Sequence, residues 1–310
     1  MRLSDTILIT GASGMIGGAL RRILQEGHYT RLLVPSHADL ELRDARQVEA
    51  YFTKHKPDVV FHLAARVGGI HANNTYPGQF VYDNTVIQAN VFEAARKSGV
   101  KKLLFPGSAC TYPKLAPQPV QEKELMNGPV EPTNIAYAAA KINGIIMAQS
   151  YAREYDMNII IPMPTNTYGV GDNFDPKASH VIPALMRRFH EAKQKSLPEV
   201  VIWGSGAPLR EFIYVDDIAQ IFIFLMQNYD AHDIINAGTM QEISIKDLAA
   251  KIAKIVDYSG KISFDATKSD GAPRKMLDSS RLFGLGWKPQ VSLSEGLQRM
   301  YETHFTRIAA

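Results

Sequence analysis

The sequence predicts an α/β fold, a doubly wound parallel sheet followed by a smaller C-terminal α/β domain. Short β-branched runs alternate with amphipathic stretches through the first half of the 310 residues, the rhythm of successive βα units. A glycine-rich string, Gly11-Ala12-Ser13-Gly14-Met15-Ile16-Gly17, joins the first such run to the first helical stretch. From about Tyr168 the rhythm changes, and a Gly/Asp/Asn/Pro-rich loop, Gly169–Ala178, leads into shorter elements.

Strands are expected at Thr6–Thr10, Arg31–Val34, Asp58–His62, Lys102–Pro106 and Asn158–Met163. Helices are expected near Met15–Glu26, Ala45–His55, Gln79–Ser98 and Tyr137–Tyr155. Residues 1–168, with a return segment near 211–238, make the first domain, and 169–310 the second. In the second, Ser179–Ala192 and Ile243–Val256 read as helices, the latter capped by Ser244. Val200–Trp203 and Glu211–Val215 read as short strands.

Bulk composition excludes several classes. With 45% hydrophobic and 21% charged residues the chain is not disordered. One cysteine cannot form an intrachain disulfide, so a reducing, cytoplasmic setting is expected. Met1–Asp5 is polar, and Ile7–Thr10 is too short for the core of a signal peptide. No apolar run approaches the ~20 residues that span a bilayer. A net charge of +3 is too weak and dispersed for nucleic acid but suits a small polyanion. The nine histidines show no ligand spacing, so no metal is expected.

Doubly wound sheets of this Rossmann type bind ligands at the carboxyl ends of their strands, and the motifs fall there. Glycines let the first turn stay tight while the following helix start offers amides to a pyrophosphate. The second strand ends Val34-Pro35-Ser36-His37 without the carboxylate that would chelate an adenosine ribose. NADP is therefore expected, with His37 near its 2′-phosphate; NADH is not excluded. Leu63, Ala64 and Ala65 after the third strand, Pro106 and Gly107 after the fourth, and Pro164, Thr165, Asn166 and Thr167 after the fifth complete the cofactor set.

Ser108 ends the fourth strand, and Tyr137 and Lys141 stand one helical turn apart. A lysine so placed is expected to lower the phenol pKa from ~10 and to hold the nicotinamide ribose. Ser108 would hydrogen-bond a substrate oxygen. Cys110 would serve as a proton-transfer base if Lys141 or a cationic histidine lowered its thiol from ~8.5.

These motifs resemble the extended short-chain dehydrogenase/reductases. Within that family the chain is similar to members that act on GDP-4-keto-6-deoxy-mannose by 3,5-epimerisation and 4-reduction. Val67-Gly-Gly-Ile-His-Ala-Asn-Asn-Thr-Tyr-Pro77, Glu131-Pro-Thr-Asn134, Ser179-His-Val-Ile-Pro-Ala-Leu185 and Arg210-Glu-Phe-Ile-Tyr-Val-Asp-Asp217 carry the resemblance. It implies that Cys110 and His180 exchange protons at C3 and C5 and that Tyr137 protonates O4, with His180 also at the cofactor. Arg188, Arg210 and Lys275 would meet the diphosphate. Val181, Leu185 and Trp203 would bound the guanine, with Asn166 and Asp270 also on the substrate. A homodimer through Gln79–Ser98 and Tyr137–Tyr155 is implied too.

Two departures stand out. Some family members carry basic residues where this chain has Ala12-Ser13 and Pro35-Ser36-His37, and Ser108-Ala109-Cys110 replaces a Ser-Ser/Thr-Cys string. The alternative is a C4-reductase of a related GDP-4-keto sugar such as a 6-deoxy-heptose. A dehydratase is disfavoured, because Ala109-Cys110 occupies the place of that group's Asp-Glu pair.

Overall fold

In this computed structural model, which describes residues 1–306 other than 177 and 269, twelve strands and ten α-helices follow one another. The first half runs β1 (Ile7–Thr10), α1 (Met15–Glu26), β2 (Leu32–Leu33), α2 (Ala45–His55), β3 (Val59–His62), α3 (Ile70–Thr75), α4 (Pro77–Lys97), β4 (Lys102–Leu104), α5 (Ile135–Tyr155) and β5 (Ile159–Pro164). Then come β6 (Asn166–Tyr168), α6 (Val181–Gln194), β7 (Glu199–Trp203), β8 (Leu209–Tyr214), α7 (Val215–Asn228) and β9 (Ile234–Ala237). The chain closes with β10 (Glu242–Ser244), α8 (Ile245–Val256), β11 (Lys261–Asp265), β12 (Arg274–Lys275), α9 (Ser280–Gly284) and α10 (Leu293–Tyr301).

The main sheet is parallel throughout, in the order β2-β1-β3-β4-β5-β9. Helices cover both its faces, so β1 and β3 are buried at every position and read as unbroken apolar runs rather than alternating ones. One core gathers side chains of α1, α6, α7 and α8; the other lies under α2, α4 and α5. The fourth strand is shorter than expected because Pro106 has no amide to donate, yet Phe105 and Gly107 continue the ladder to Ile160 (3.0 Å) and Pro162 (2.9 Å). Helices α4 and α5 pack closely at Gly144, where a Cβ would fall 2.6 Å from Gln88 Oε1 of α4 and 2.4 Å from the Phe105 ring.

The second layer centres on β8, which pairs with β10 antiparallel and with β12 and β6 in parallel. Of the predicted return segment, β9 joins the main sheet and α7 packs against it, whereas β8 belongs to this second one. A separate parallel pair joins β7 to β11. The Ser244 hydroxyl accepts the Asp247 amide at 3.0 Å and so caps α8 as expected. None of the described helices is long and apolar enough to cross a membrane.

Candidate active site

The turn after β1 is shaped for a close backbone visitor. Gly11 adopts φ +75°, and a Cβ there would lie 2.8 Å from the Ala64 amide nitrogen. A Cβ on Gly17 would lie 2.2 Å from the Gly11 carbonyl oxygen, so only glycine lets α1 sit on the turn. Gly14 begins α1 in extended conformation with no side-chain cap and no acidic residue in the first turn. Those uncapped amides, with the helix dipole behind them, suit a pyrophosphate. Ala12 is buried beneath the turn while Ser13 and Gly14 face solvent. Leu63, Ala64 and Ala65 form a half-buried edge beside it. Beneath, the Thr10 hydroxyl pairs with His62 Nδ1 at 2.8 Å and accepts the Ala64 amide at 3.3 Å. Burial, reinforced by the nearby Lys141 charge, drives His62 down to about 3 and keeps it neutral.

After β2, His37 is exposed, and the Asp39 carboxylate folds back to accept the Ser36 amide (2.9 Å) and hydroxyl (2.6 Å). That loop thus contains a carboxylate, but one already occupied by Ser36.

At the end of β4, Ser108 accepts the Cys110 amide at 3.2 Å and starts a 3₁₀ turn, Ala109–Thr111. This brings Ser108, Cys110 and Tyr137 together: at the Tyr137 phenol, Cys110 adds to the upward push of burial and Ser108 opposes it. Lys141 is buried, donates to the Pro106 carbonyl at 2.8 Å and stacks over Phe105 at 4.6 Å. Two expectations are corrected here. Tyr137 is pushed above its ordinary value, not below it, because burial outweighs the Ser108 hydrogen bond. Burial also brings Lys141 itself down to about 8. Moreover, the cation on Cys110 is Lys275, whose Nζ hydrogen-bonds Sγ at 3.7 Å, rather than Lys141 or a histidine.

His180 is the extended N-cap residue of α6, and its loop is tied to the first domain by the Gly69 amide on the Ala178 carbonyl (3.1 Å). Its ring is open to solvent yet walled by protein, and that partial burial pulls it below the ordinary histidine range. On α6, Leu185 is buried and Val181 half-buried. Arg188, also on α6, donates to the Val201 carbonyl of β7. That strand ends at Trp203, which is 71% exposed. The Asp270 carboxylate accepts the Ser205 amide (2.8 Å) and hydroxyl (2.6 Å), and those hydrogen bonds hold it below the usual carboxylate range. Arg210 donates to its neighbour's carbonyl, Leu209 O, at 2.7 Å and stands in register with Lys275. Burial lowers both arginines, only partly offset at Arg210 by Asp270, so an arriving anion would restore what burial removes. Asn166 donates to the Glu211 carbonyl at 2.8 Å, while Pro164, Thr165 and Thr167 line the route from β5 into β6.

Sequence reasoning missed Glu211. It is fully buried and accepts the amides of Thr239 (2.6 Å), Met240 (2.7 Å) and Leu277 (2.9 Å), which bolts the β12 segment to β8. A charged residue on the strand immediately before the apolar run Phe212–Val215 was the available signal.

Residues 7–238 match the NAD dependent epimerase/dehydratase family. The chain belongs to that family. It is 49% identical over 305 residues to GDP-L-fucose synthase 1 of Arabidopsis thaliana, covering 98% of this chain and 94% of that one. A GDP-L-fucose synthetase from Naegleria fowleri, solved with NADP bound, is 28% identical with a TM-score of 0.92, covering 100% and 97% of the two chains. A GDP-6-OMe-4-keto-L-xylo-heptose reductase from Campylobacter jejuni is 34% identical with a TM-score of 0.92, covering 99% of each chain.

Proposed function

We propose that this protein converts GDP-4-keto-6-deoxy-D-mannose to GDP-L-fucose by 3,5-epimerisation followed by NADPH-dependent 4-reduction. The observation that carries the reading is a thiol seated within a reductase triad: Cys110 lies against Ser108 and Tyr137, with an ammonium on its sulfur. A plain reductase has no use for that thiol, whereas epimerisation beside a ketone needs a proton acceptor and a proton donor.

The 4-keto group makes the C3 and C5 hydrogens acidic, since the carbanion delocalises onto O4. Cys110 and His180 remove and return those protons from opposite faces. His180 suits the task because partial burial favours its neutral imidazole. The bound cofactor supplies hydride to C4. Tyr137, kept protonated by burial, gives its proton to the O4 alkoxide while Ser108 orients that oxygen. Lys141 holds the nicotinamide ribose. Arg188, Arg210 and Lys275 neutralise the diphosphate, and Trp203, Val181 and Leu185 enclose the guanine, with Asn166 and Asp270 completing the nucleotide-sugar contacts.

Residues 1–168 with the later return segment serve the cofactor, and 169–310 serve the sugar nucleotide. Exposed apolar side chains on α4 (Val81, Tyr82) and α5 (Ile146, Tyr155) support a homodimer through those helices. The single thiol supports a cytoplasmic setting.

The 34% identity to the 6-O-methyl-4-keto-heptose reductase supports a second reading, C4 reduction of a related GDP-4-keto-heptose, of which a 6-deoxy-heptose is one candidate. Parallel assays with the two keto-sugars and NADPH, with products identified by NMR, test the choice. Faster turnover of the mannose-derived substrate to GDP-L-fucose is expected; exclusive turnover of the heptose would reverse the order.

A further inference from the structure

Lys275 comes from the second layer, yet its ammonium reaches the thiol at the end of β4. We propose that Lys275 is the charge partner of Cys110, a positioning residue that steadies the sulfur and stabilises the negative charge it carries during proton transfer. This rests on the epimerisation reading above and deepens it.

Three observations support the pairing. The Nζ–Sγ contact is 3.7 Å. Among the described residues Lys275 has no carboxylate partner, whereas the adjacent Arg274 is paired with Glu242 at 2.7 Å. A half-buried ammonium left without a carboxylate lacks a counter-charge, and the sulfur it contacts would supply one on giving up its proton. The backbone beyond it is fixed on both sides: the Met276 amide donates to Gln118 Oε1 (2.9 Å), Leu277 to Glu211 (2.9 Å), and Val120 donates to the Met276 carbonyl (2.8 Å). Gln118 and Val120 lie in the loop that leaves Cys110, so cation and thiol share one frame.

In the reaction the C–H bond at C3 or C5 breaks, an S–H bond forms on Cys110, and the released electron pair moves into the enolate with its charge on O4. The reverse transfer returns a proton from sulfur to carbon. In both directions Lys275 compensates the charge on the sulfur side.

Because the chain holds one cysteine, alkylation by iodoacetamide reads Cys110 alone. Rates at neutral pH are compared by intact mass for the wild type, Lys275→Met and Lys275→Arg, without any sugar present. A loss of about tenfold is expected for Lys275→Met, with most of the rate restored in Lys275→Arg. Lys275→Gln serves if the methionine variant fails to bind NADPH or to melt cooperatively. An unchanged alkylation rate, together with a raised KM for the GDP-sugar, would overturn the pairing and leave Lys275 a diphosphate contact only. Since no sugar enters the alkylation assay, a mistaken substrate would leave its outcome intact.

Discussion

Replacing Glu211 by glutamine separates what holds the substrate layer from what holds the cofactor. One carboxylate oxygen accepts the Thr239 and Met240 amides at 2.6 and 2.7 Å, and the other accepts Leu277 at 2.9 Å. A glutamine keeps its carbonyl toward the two-amide side and turns an NH2 against the Leu277 N–H. One bond to a charged acceptor, about 1.5–3 kcal/mol, is lost. Part returns, because burial already pushes the Glu211 carboxyl above its ordinary range and the neutral amide escapes that cost. The net loss at neutral pH is about 1–2 kcal/mol, a fall in Tm of about 1.5–3 °C. Leu277 is two residues from Lys275, so KM for the GDP-sugar should rise roughly threefold to tenfold, which is about 0.7–1.4 kcal/mol. Affinity for NADPH should stay unchanged, since the glycine turn lies in the other layer. Thermal melts, NADPH titration and initial rates measure all three. A weakened NADPH affinity with unchanged KM would refute the reasoning.

Other perturbations address the remaining parts. Gly17→Ala forces a Cβ to within 2.2 Å of the Gly11 carbonyl, so the turn must open. NADPH binding measured by fluorescence should weaken at least about tenfold. Tyr137→Phe should cut 4-reduction by about 10²–10⁴ while leaving cofactor affinity and C–H exchange in place; equal loss of exchange would mean a damaged site. Lys141 titrates at about 8 when folded, below its ~10.4 when unfolded. Across that interval the unfolded chain holds more protons, so the cost of burying the charge is full below about 8 and is relieved as pH rises toward ~10.4. Urea melts of the cofactor-free protein should therefore gain stability over that range, relative to Lys141→Met.

The parts legible in the sequence are those encoded locally. The glycine turn, the Tyr137–Lys141 spacing and the Ser244 cap each depend on residues within a few positions of one another. The two-residue strands β2 and β12 offer no periodicity to read, and β12 becomes a strand only because β8 is beside it. Contacts between distant segments were hidden: Lys275 and Cys110 are 165 positions apart, and Glu211 and Leu277 are 66 apart. The sign of the Tyr137 displacement was also hidden. Spacing reveals a neighbouring lysine but not that burial dominates both groups or that Pro106 already holds the ammonium.

The most direct test of the central claim is NMR of the product formed from GDP-4-keto-6-deoxy-mannose and NADPH in deuterated water. The account predicts GDP-L-fucose carrying deuterium at both C3 and C5. NADPH consumption with protium retained at both carbons would contradict it, leaving a C4 reductase whose Cys110 moves no proton.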